Sequence, residues 1–336
     1  MSNLSTINIP QLNDLVDRMF LDKKESLPQE FRKSGLVVVE TIPEGTGGYR
    51  RLAEMPDRDL YADIRDEGDV SNQTPIQIGW EKDLVVYDVA KDVTITVKER
   101  RENKYPQVVA KLTDLTELAF NRMELDLAHR FSFAYSTSYT DKSGKTIDVT
   151  TGDGLAAASA VHALTGSSTT YSTIITANPV FSKAALELAQ RSATEESYSN
   201  LGQKISVPFD IIWTTDNRQT INAVQELLNA TADVSSSNAG TFNVYKGAMR
   251  HVILSRVATN ATGGVDTSKR LYWGIASSKA TDLRMGIIAE PYMRMPAEGN
   301  NGADFSSENW TYGVTASYGI CMVTARGFRF SNGSGS

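Results

Sequence analysis

Residues 107–131 read QVVAKLTDLTELAFNRMELDLAHRF, with an apolar residue at every third or fourth position. That period places the apolar side chains on one face of an α-helix. The predicted buried face consists of Val108, Leu112, Leu115, Ala119, Met123 and Leu127, widened by Val109, Phe120 and Phe131. The predicted polar side consists of Lys111, Asp114, Glu117, Arg122 and Asp126. We predict one helix over residues 106–133, roughly 40 Å long at ~1.5 Å per residue.

Two interpretations fit so long a helix. It is either an ordinary buried amphipathic helix or a spine that crosses a flat, extended subunit. Pro106 suits its first turn, where a missing N–H is not needed. The flanking segments favour the spine, because an arm and a long ribbon, neither with enough apolar residues for a core, precede it.

Composition bounds the answer further. The chain has 336 residues, which favours two lobes or one domain with extensions. Its net charge of −6 argues against the basic surface of a tight nucleic-acid binder. Cys321 is the only cysteine, so an intrachain disulfide and a cysteine-based zinc site are excluded. The N-terminus lacks the basic and apolar regions of a secretory signal, and no apolar run approaches the ~18 residues of a membrane span.

The residues before the long helix divide into an arm and a ribbon. Residues 1–44 form the predicted arm, with a short helix at 10–21, a short strand at 37–39 and scattered apolar anchors. Such a segment packs either on the rest of its chain or on a neighbour. Residues 45–100 form the predicted ribbon, because residues 76–97 alternate between apolar and polar over an unusually long run.

The sequence PDRDLYADIRDEGD, residues 56–69, forms the predicted tip of the ribbon. The segment contains two arginines, Arg58 and Arg65, and six acidic residues: Asp57, Asp59, Asp63, Asp66, Glu67 and Asp69. So charged a segment is typical of a solvated tip. The ribbon either folds over its own domain or projects onto an adjacent subunit, and the charged tip favours the second.

The densest basic cluster of the chain, KERRENK, lies where the ribbon meets the long helix. It supplies Lys98, Arg100, Arg101 and Lys104. We predict that the acidic tip of one subunit docks near this cluster on another, because opposite charges favour docking. In the alternative, Arg100 and Arg101 only pair within their own ribbon or stay solvated.

The rest of the chain predicts a compact mixed α/β lobe. After a loop or weak hairpin at 135–154 we predict helices at 155–164 and 178–191, the second capped by Asn178. Strands are predicted at 210–213, 251–257, 271–276 and 284–293, with a helix capped by Asp216 after the first of them. Residues 310–330 have strong strand character and close the chain.

Motifs for catalysis are absent from the sequence. His129, His162 and His251 have no His or Cys at metal-ligand spacing, and the nucleophile elbow, the phosphate-binding loop and the dinucleotide fingerprint do not occur. We therefore predict no catalytic residue, no cofactor and no metal. An enzyme that uses the carboxylates of residues 57–69, or Asp148 and Asp153, remains an alternative.

Several segments together carry a family resemblance. They are GQKISVPFDIIWTTDNRQTINAVQELLNA (202–230), NVYKGAMRHVILSRV (243–257) followed by RLYWGIA (270–276), and the closing YGICMVTARGFRF (318–330). With the order arm, ribbon, long helix and α/β lobe, they resemble the HK97-type major capsid proteins of tailed bacteriophages and prophages. The resemblance covers most of the chain as a pattern of segments.

That resemblance implies an α+β fold with four parts. They are an N-terminal arm (1–44), an extended two-stranded loop called the E-loop (45–100), a peripheral domain with the spine helix (101–150 and 305–336) and an axial domain (151–304). No long charged helix precedes the arm, so we expect a fused scaffolding region to be absent or already removed. The lysine–asparagine crosslink known in part of the family matches no residues here and is not carried over.

The implied function is structural. Copies would form pentamers and hexamers of an icosahedral head that encloses double-stranded DNA without sequence-specific binding, in virions assembled in the host cytoplasm. Scaffolding, portal and decoration proteins are the further partners that the family implies, and a membrane is not among them. The alternative within the same fold is an encapsulin-like nanocompartment, which would enclose a protein cargo.

Overall fold

The computed structural model describes residues 9–335 except 28, 46, 48, 55–56, 72, 74–75, 103, 235–240 and 297–308, with only the backbone for 9, 10, 58, 100 and 105. In these residues the helices are α1 Ile9–Ser26, α2 Val97–Arg101, α3 Tyr105–Ser132, α4 Lys183–Glu195 and α5 Arg218–Asn229. The strands are β1 Val38–Thr41, β2 Tyr49–Ala53, β3 Asp57–Arg58, β4 Ile76–Gln77, β5 Glu81–Val85, β6 Tyr87–Ile95, β7 Ser138–Thr140, β8 Thr146–Asp148, β9 His162–Ala163, β10 Thr170–Tyr171, β11 Ile211–Thr214, β12 Arg250–Ile253, β13 Trp273–Ala276, β14 Leu283–Arg294, β15 Trp310–Met322 and β16 Phe328–Ser331.

Helix α3 confirms the predicted spine. It runs over 28 residues with a proline in its first turn, and every residue of the first predicted apolar row is buried. This helix lies on a four-stranded sheet of order β1-β14-β15-β6, and the two together form what we call the P lobe. Strand β1 is parallel to β14, and the other neighbours in this sheet are antiparallel.

The arm packs on its own chain. Helix α1 lies against α3, with Leu12 and Val16 buried and the rings of Phe20 and Phe120 5.5 Å apart. The predicted arm helix at 10–21 is confirmed and extends to Ser26. Ile7, one of the apolar residues of the predicted arm, lies outside the described residues.

The ribbon is shorter than predicted. Strands β2 and β5 pair antiparallel, and β3 and β4 extend the pair outwards. Strand β6, which we assigned to the ribbon, instead joins the P-lobe sheet beside β15. Its alternating pattern fits either place, since in both cases one face is apolar. Strand β6 lies in the P-lobe sheet because Ile95 is buried there, in the core beneath α3.

A second sheet, of order β12-β11-β13-β16, lies with α4 and α5 in what we call the A lobe. The lobe boundaries differ from the sequence prediction at two strands. Strand β14 belongs to the P-lobe sheet, although it lies within residues 151–304, the predicted axial domain. Strand β16 pairs with β13 of the A lobe, although residues 305–336 were assigned to the peripheral domain. A strand's own pattern does not encode which sheet it joins.

Three local predictions in the A lobe are wrong. Residues 155–164 form bends and the short strand β9, not a helix. Helix α4 is capped by Ser182, because Asn178 has a left-handed φ of 47°, which an extended N-cap residue does not adopt. Helix α5 is capped by Asn217, one residue after the predicted Asp216, and the Asn217 side chain accepts from two backbone N–H groups. Residues 135–154, predicted as a loop or a weak hairpin, contain the hairpin β7–β8.

One aromatic cluster joins the two lobes. The ring of Phe131, at the end of α3, lies 4.9 Å from Trp213 on β11 and 5.5 and 5.6 Å from Phe328 and Phe330 on β16. All four side chains are buried in the same core cluster. The C-terminal end of the spine helix therefore packs directly against the sheet of the A lobe.

Candidate assembly interface

The base of the ribbon, which we call its root (residues 54–59), contacts Arg326 and Gln203 of the same chain. Glu54 is buried and forms an ion pair of 3.3 Å with Arg326, in the connection between β15 and β16. Asp57 lies 3.5 Å from the same guanidinium. Asp59 accepts a hydrogen bond of 2.5 Å from Gln203, which lowers the pKa of its carboxyl. Two of the six predicted tip carboxylates, Asp57 and Asp59, therefore belong to the root.

The tip beyond this root is exposed throughout residues 60–71. It carries large apolar side chains with high exposed fractions: Leu60 52%, Tyr61 66%, Ile64 101% and Val70 91%. Its exposed charged residues are Asp63, Asp66, Glu67 and Asp69 against Arg65. Exposed apolar side chains grouped on one projection and rimmed by charge are typical of interaction surfaces, which makes the tip a candidate.

The predicted basic cluster is partly neutralised by its own glutamates. Lys98 and Lys104 both lie near Glu102, at 3.7 and 2.5 Å. The hydrogen bond to Glu102 raises the pKa of Lys104. Arg101 is exposed, and the side chain of Arg100 lies outside the described residues. The docking of the tip at this cluster stays a prediction, with Arg101 as its clearest contact.

A second basic surface, which the sequence analysis missed, lies beside β6. It is a groove of about 850 Å³ between β6, the middle of α3 and the β7–β8 hairpin. Its apolar wall includes Val85, 60% exposed, and Leu118, 41% exposed, on α3. Its charged lining is Lys91, Arg122, Lys142 and Lys145 against Asp88 and Asp141. Leu118 gave a signal in the sequence, because it is an apolar residue on the polar side of the helix.

Strand β6 leaves one edge unpaired along this groove. Among the described strands it has one sheet neighbour, β15, whose register covers Tyr87 to Ile95. An unpaired strand edge presents N–H and C=O groups that an extended segment can pair with. The groove therefore combines a backbone edge, apolar side chains and net positive charge.

Ionic contacts fix the wall of the groove. Arg122 on α3 forms ion pairs of 2.9 Å with Asp126 and 3.0 Å with Asp141 of the hairpin. Burial alone would raise the pKa of Asp141, but hydrogen bonds from Ser143 and Arg122 outweigh it and hold that pKa at about 2. The hairpin is thus tied to the helix, and Lys142 and Lys145 keep a defined place at the rim.

The described residues offer little for catalysis. None of their His, Cys, Asp and Glu side chains form a group of three that could hold a metal ion. Burial lowers the pKa of His129 to about 4. The buried His162 forms a hydrogen bond of 2.7 Å between its Nδ1 and the carboxylate of Asp153. Cys321 is buried, which raises its pKa to about 11. None of the helices described here is long and apolar enough to span a bilayer.

Comparison with known proteins defines the fold. No protein-family model matches the sequence, and no curated protein matches it either. Solved structures do match over nearly the whole chain. The mature capsid of bacteriophage PhiM1 aligns with a TM-score of 0.53 at 10% identity, covering 91% of this chain and 87% of that one.

Two further phage chains give the same result. The capsid of cyanophage P-SCSP1u aligns with a TM-score of 0.52 at 12% identity over 90% of this chain and 87% of its own. A chain of Gordonia phage Cozz aligns with a TM-score of 0.50 at 14% identity over 91% and 90%. The chain has the HK97-type capsid fold, as its sequence predicted.

Proposed function

We propose that this chain is a structural major capsid protein of a tailed bacteriophage or prophage. Copies assemble into pentamers and hexamers of an icosahedral head around double-stranded DNA, in virions assembled in the host cytoplasm. The observation that carries the proposal is the capsid fold, shared with the PhiM1 and cyanophage capsids over about nine tenths of the chain. The protein has a container role and no catalytic one.

The surface chemistry supports a role in assembly. The tip is acidic and apolar, while the groove beside β6 is basic and apolar. Complementary charge favours the docking of one onto the other and fixes its orientation. In our proposal the tip of one copy lies along the β6 edge of a second copy, between the groove and the exposed Arg101. Many such modest contacts in a closed shell add up by multivalency.

The net charge suits a container. A chain of net charge −6 is unlike the strongly basic proteins that grip DNA with steep salt dependence. DNA enclosed in a closed shell is retained by the shell and neutralised by counterions. Scaffolding, portal and decoration proteins are further partners in this proposal. An encapsulin-like compartment is less favoured, because the PhiM1 and P-SCSP1u capsids, which share the fold, belong to phages.

Microscopy of the purified protein tests the function. We expect size-exclusion chromatography to give a large species and negative-stain images to show closed icosahedral particles. Particles recovered from phage-producing cells should hold nuclease-resistant DNA. A protein cargo in place of DNA would support the nanocompartment. A compact monomer at every concentration, with or without other head proteins, would overturn the proposal.

A further inference from the structure

The ribbon contacts its own subunit at two separate places. One contact is made by its outgoing limb, residues 49–60, and the other by its returning limb, residues 76–85. The outgoing limb contacts residues 198–203: the Asn200 N–H donates to Asp57, and the Leu60 N–H donates to Gln203 at 2.8 Å. The returning limb contacts residues 163–165: the Trp80 indole N–H donates to the carbonyl of Ala163 at 3.0 Å. The ribbon therefore leaves the subunit along a fixed surface, although its tip has few contacts.

Arg326 lies at the centre of the first fastening. Its guanidinium faces Glu54 at 3.3 Å and Asp57 at 3.5 Å, and it donates to the carbonyl of Tyr198 at 3.1 Å. It also donates to the side chain of Asn200, whose amide in turn donates to Glu54 at 3.2 Å. One side chain thus binds both the ribbon root and the segment on which the ribbon lies.

The surroundings hold Arg326 itself in place. Its guanidinium carbon lies 5.7 Å from the centre of the Tyr171 ring. Its backbone carbonyl accepts from Arg329 at 3.1 Å, and Arg329 is fully buried in β16. A planar guanidinium with fixed donors selects one geometry of its carboxylate partners. The contact therefore specifies a direction for the ribbon as well as holding it.

We propose that Arg326 is a latch that orients the ribbon before a second copy arrives. The inference rests on the proposed function, since it assigns the latched ribbon to assembly. A ribbon held in one direction loses less conformational freedom on docking, and this favours association. Without the latch the tip would sample many directions, and productive docking would slow.

Hydrogen exchange on the unassembled subunit tests the latch. In Arg326→Gln, the amides of Leu60 and Asn200 should exchange at least roughly tenfold faster, because removing one partner of a buried ion pair frees the contact around it. Amides in the middle of α3 should be unchanged. The exchange rates in Arg326→Lys should lie between those of the wild type and of Arg326→Gln, since lysine keeps the positive charge but not the planar guanidinium. Arg191→Gln is the matched control, because Arg191 pairs with Glu195 on the exposed surface of α4.

A milder variant covers the case in which Arg326→Gln does not fold. Gln203→Ala removes only the contacts to Asp59 and Leu60, and it should also speed exchange at Leu60. Unchanged exchange in the variants that fold would overturn the latch. Faster exchange with normal assembly kinetics would overturn its role in assembly. Failure of the wild-type chain to form particles would count against the proposed function instead, and the exchange data would still decide the latch.

Discussion

The hydroxyl of Tyr318 on β15 donates a hydrogen bond of 2.7 Å to the carboxylate of Asp126 in the middle of α3. Tyr87 on β6 donates to the same carboxylate at 3.2 Å, and Arg122 pairs with it at 2.9 Å. Burial first, and then the neighbouring carboxylate, raise the pKa of Tyr318 well above its usual value. A buried polar network of this kind fixes the helix on its sheet in one arrangement.

We expect Asp126→Ala to destabilise the subunit by about 1–3 kcal/mol, because it leaves the buried hydroxyl of Tyr318 and the half-buried hydroxyl of Tyr87 without their acceptor, while Arg122 keeps Asp141. Chemical denaturation of the unassembled subunit measures this loss. Asp114→Ala is the control, since Asp114 was predicted on the same polar side of the helix but is exposed. Equal losses in both variants would contradict the account of the network.

The apolar face of α3 gives a second prediction. Leu115 and Met123 are fully buried, and replacing either by Ala should cost about 2–5 kcal/mol through lost burial and a cavity. Leu118→Ala serves as the comparison, since Leu118 faces the open groove. It should change the free energy of unfolding by less than about 1 kcal/mol, while slowing assembly. A large loss of subunit stability at Leu118 would mean that the groove is not a free surface.

The sequence predicted the long elements because their periodicity is local. The buried row of α3 follows from the spacing of its apolar residues alone. The burial of Asp126 does not, because its partners Tyr87 and Tyr318 come from strands 39 and 192 residues away. The helical period placed Asp126 on the polar side, and only the tertiary fold brings those hydroxyls to it.

The sequence predicted only part of the candidate interface. Acidic composition located the ribbon tip, but Asp57 and Asp59 serve its root, which depends on the distant Arg326 and Gln203. The basic cluster was predicted from charge density, which does not indicate that Lys98 and Lys104 lie beside Glu102. The groove forms where β6, α3 and a hairpin meet, and such a meeting has no signature in any single segment.

The third prediction concerns pH. Burial lowers the pKa of His129 to about 4, below the ~6.5 of an unfolded chain, so folding favours the neutral ring. Its stabilising contribution is present above pH ~6.5 and is lost as the pH falls towards 4, by up to roughly 3 kcal/mol. His129→Gln should flatten the stability profile in that window. An unchanged profile would show that other groups cause the acid sensitivity.

The ribbon tip gives the fourth prediction. Replacing residues 61–70 by a short Gly-Ser linker should leave a folded subunit with an unchanged melting temperature, because this segment contributes nothing to the described core. Particle yield should fall sharply, as measured by sedimentation. The deletion spares Asp57 and Asp59, which hold the root. Normal heads from this variant would show that the tip is not an assembly element.

Charge reversal distinguishes the two basic surfaces, which gives the fifth prediction. Lys142→Glu with Lys145→Glu should slow assembly if the groove receives the tip, and Arg100→Glu with Arg101→Glu should do so if the cluster does. Rescue by Asp63→Lys with Asp66→Lys identifies the surface that the tip meets. Assembly should weaken with salt, since exposed pairs are screened over roughly 8–10 Å. If neither reversal is rescued, the tip docks elsewhere.

A cryo-electron-microscopy map of the assembled particle tests the central claim most directly. We predict an icosahedral shell of this chain in which residues 60–71 of each subunit lie on the P lobe of another subunit, beside its β6 strand. A shell in which every tip contacts only its own subunit would contradict the docking. A protein that forms no shell at all would contradict the assignment as a capsid subunit.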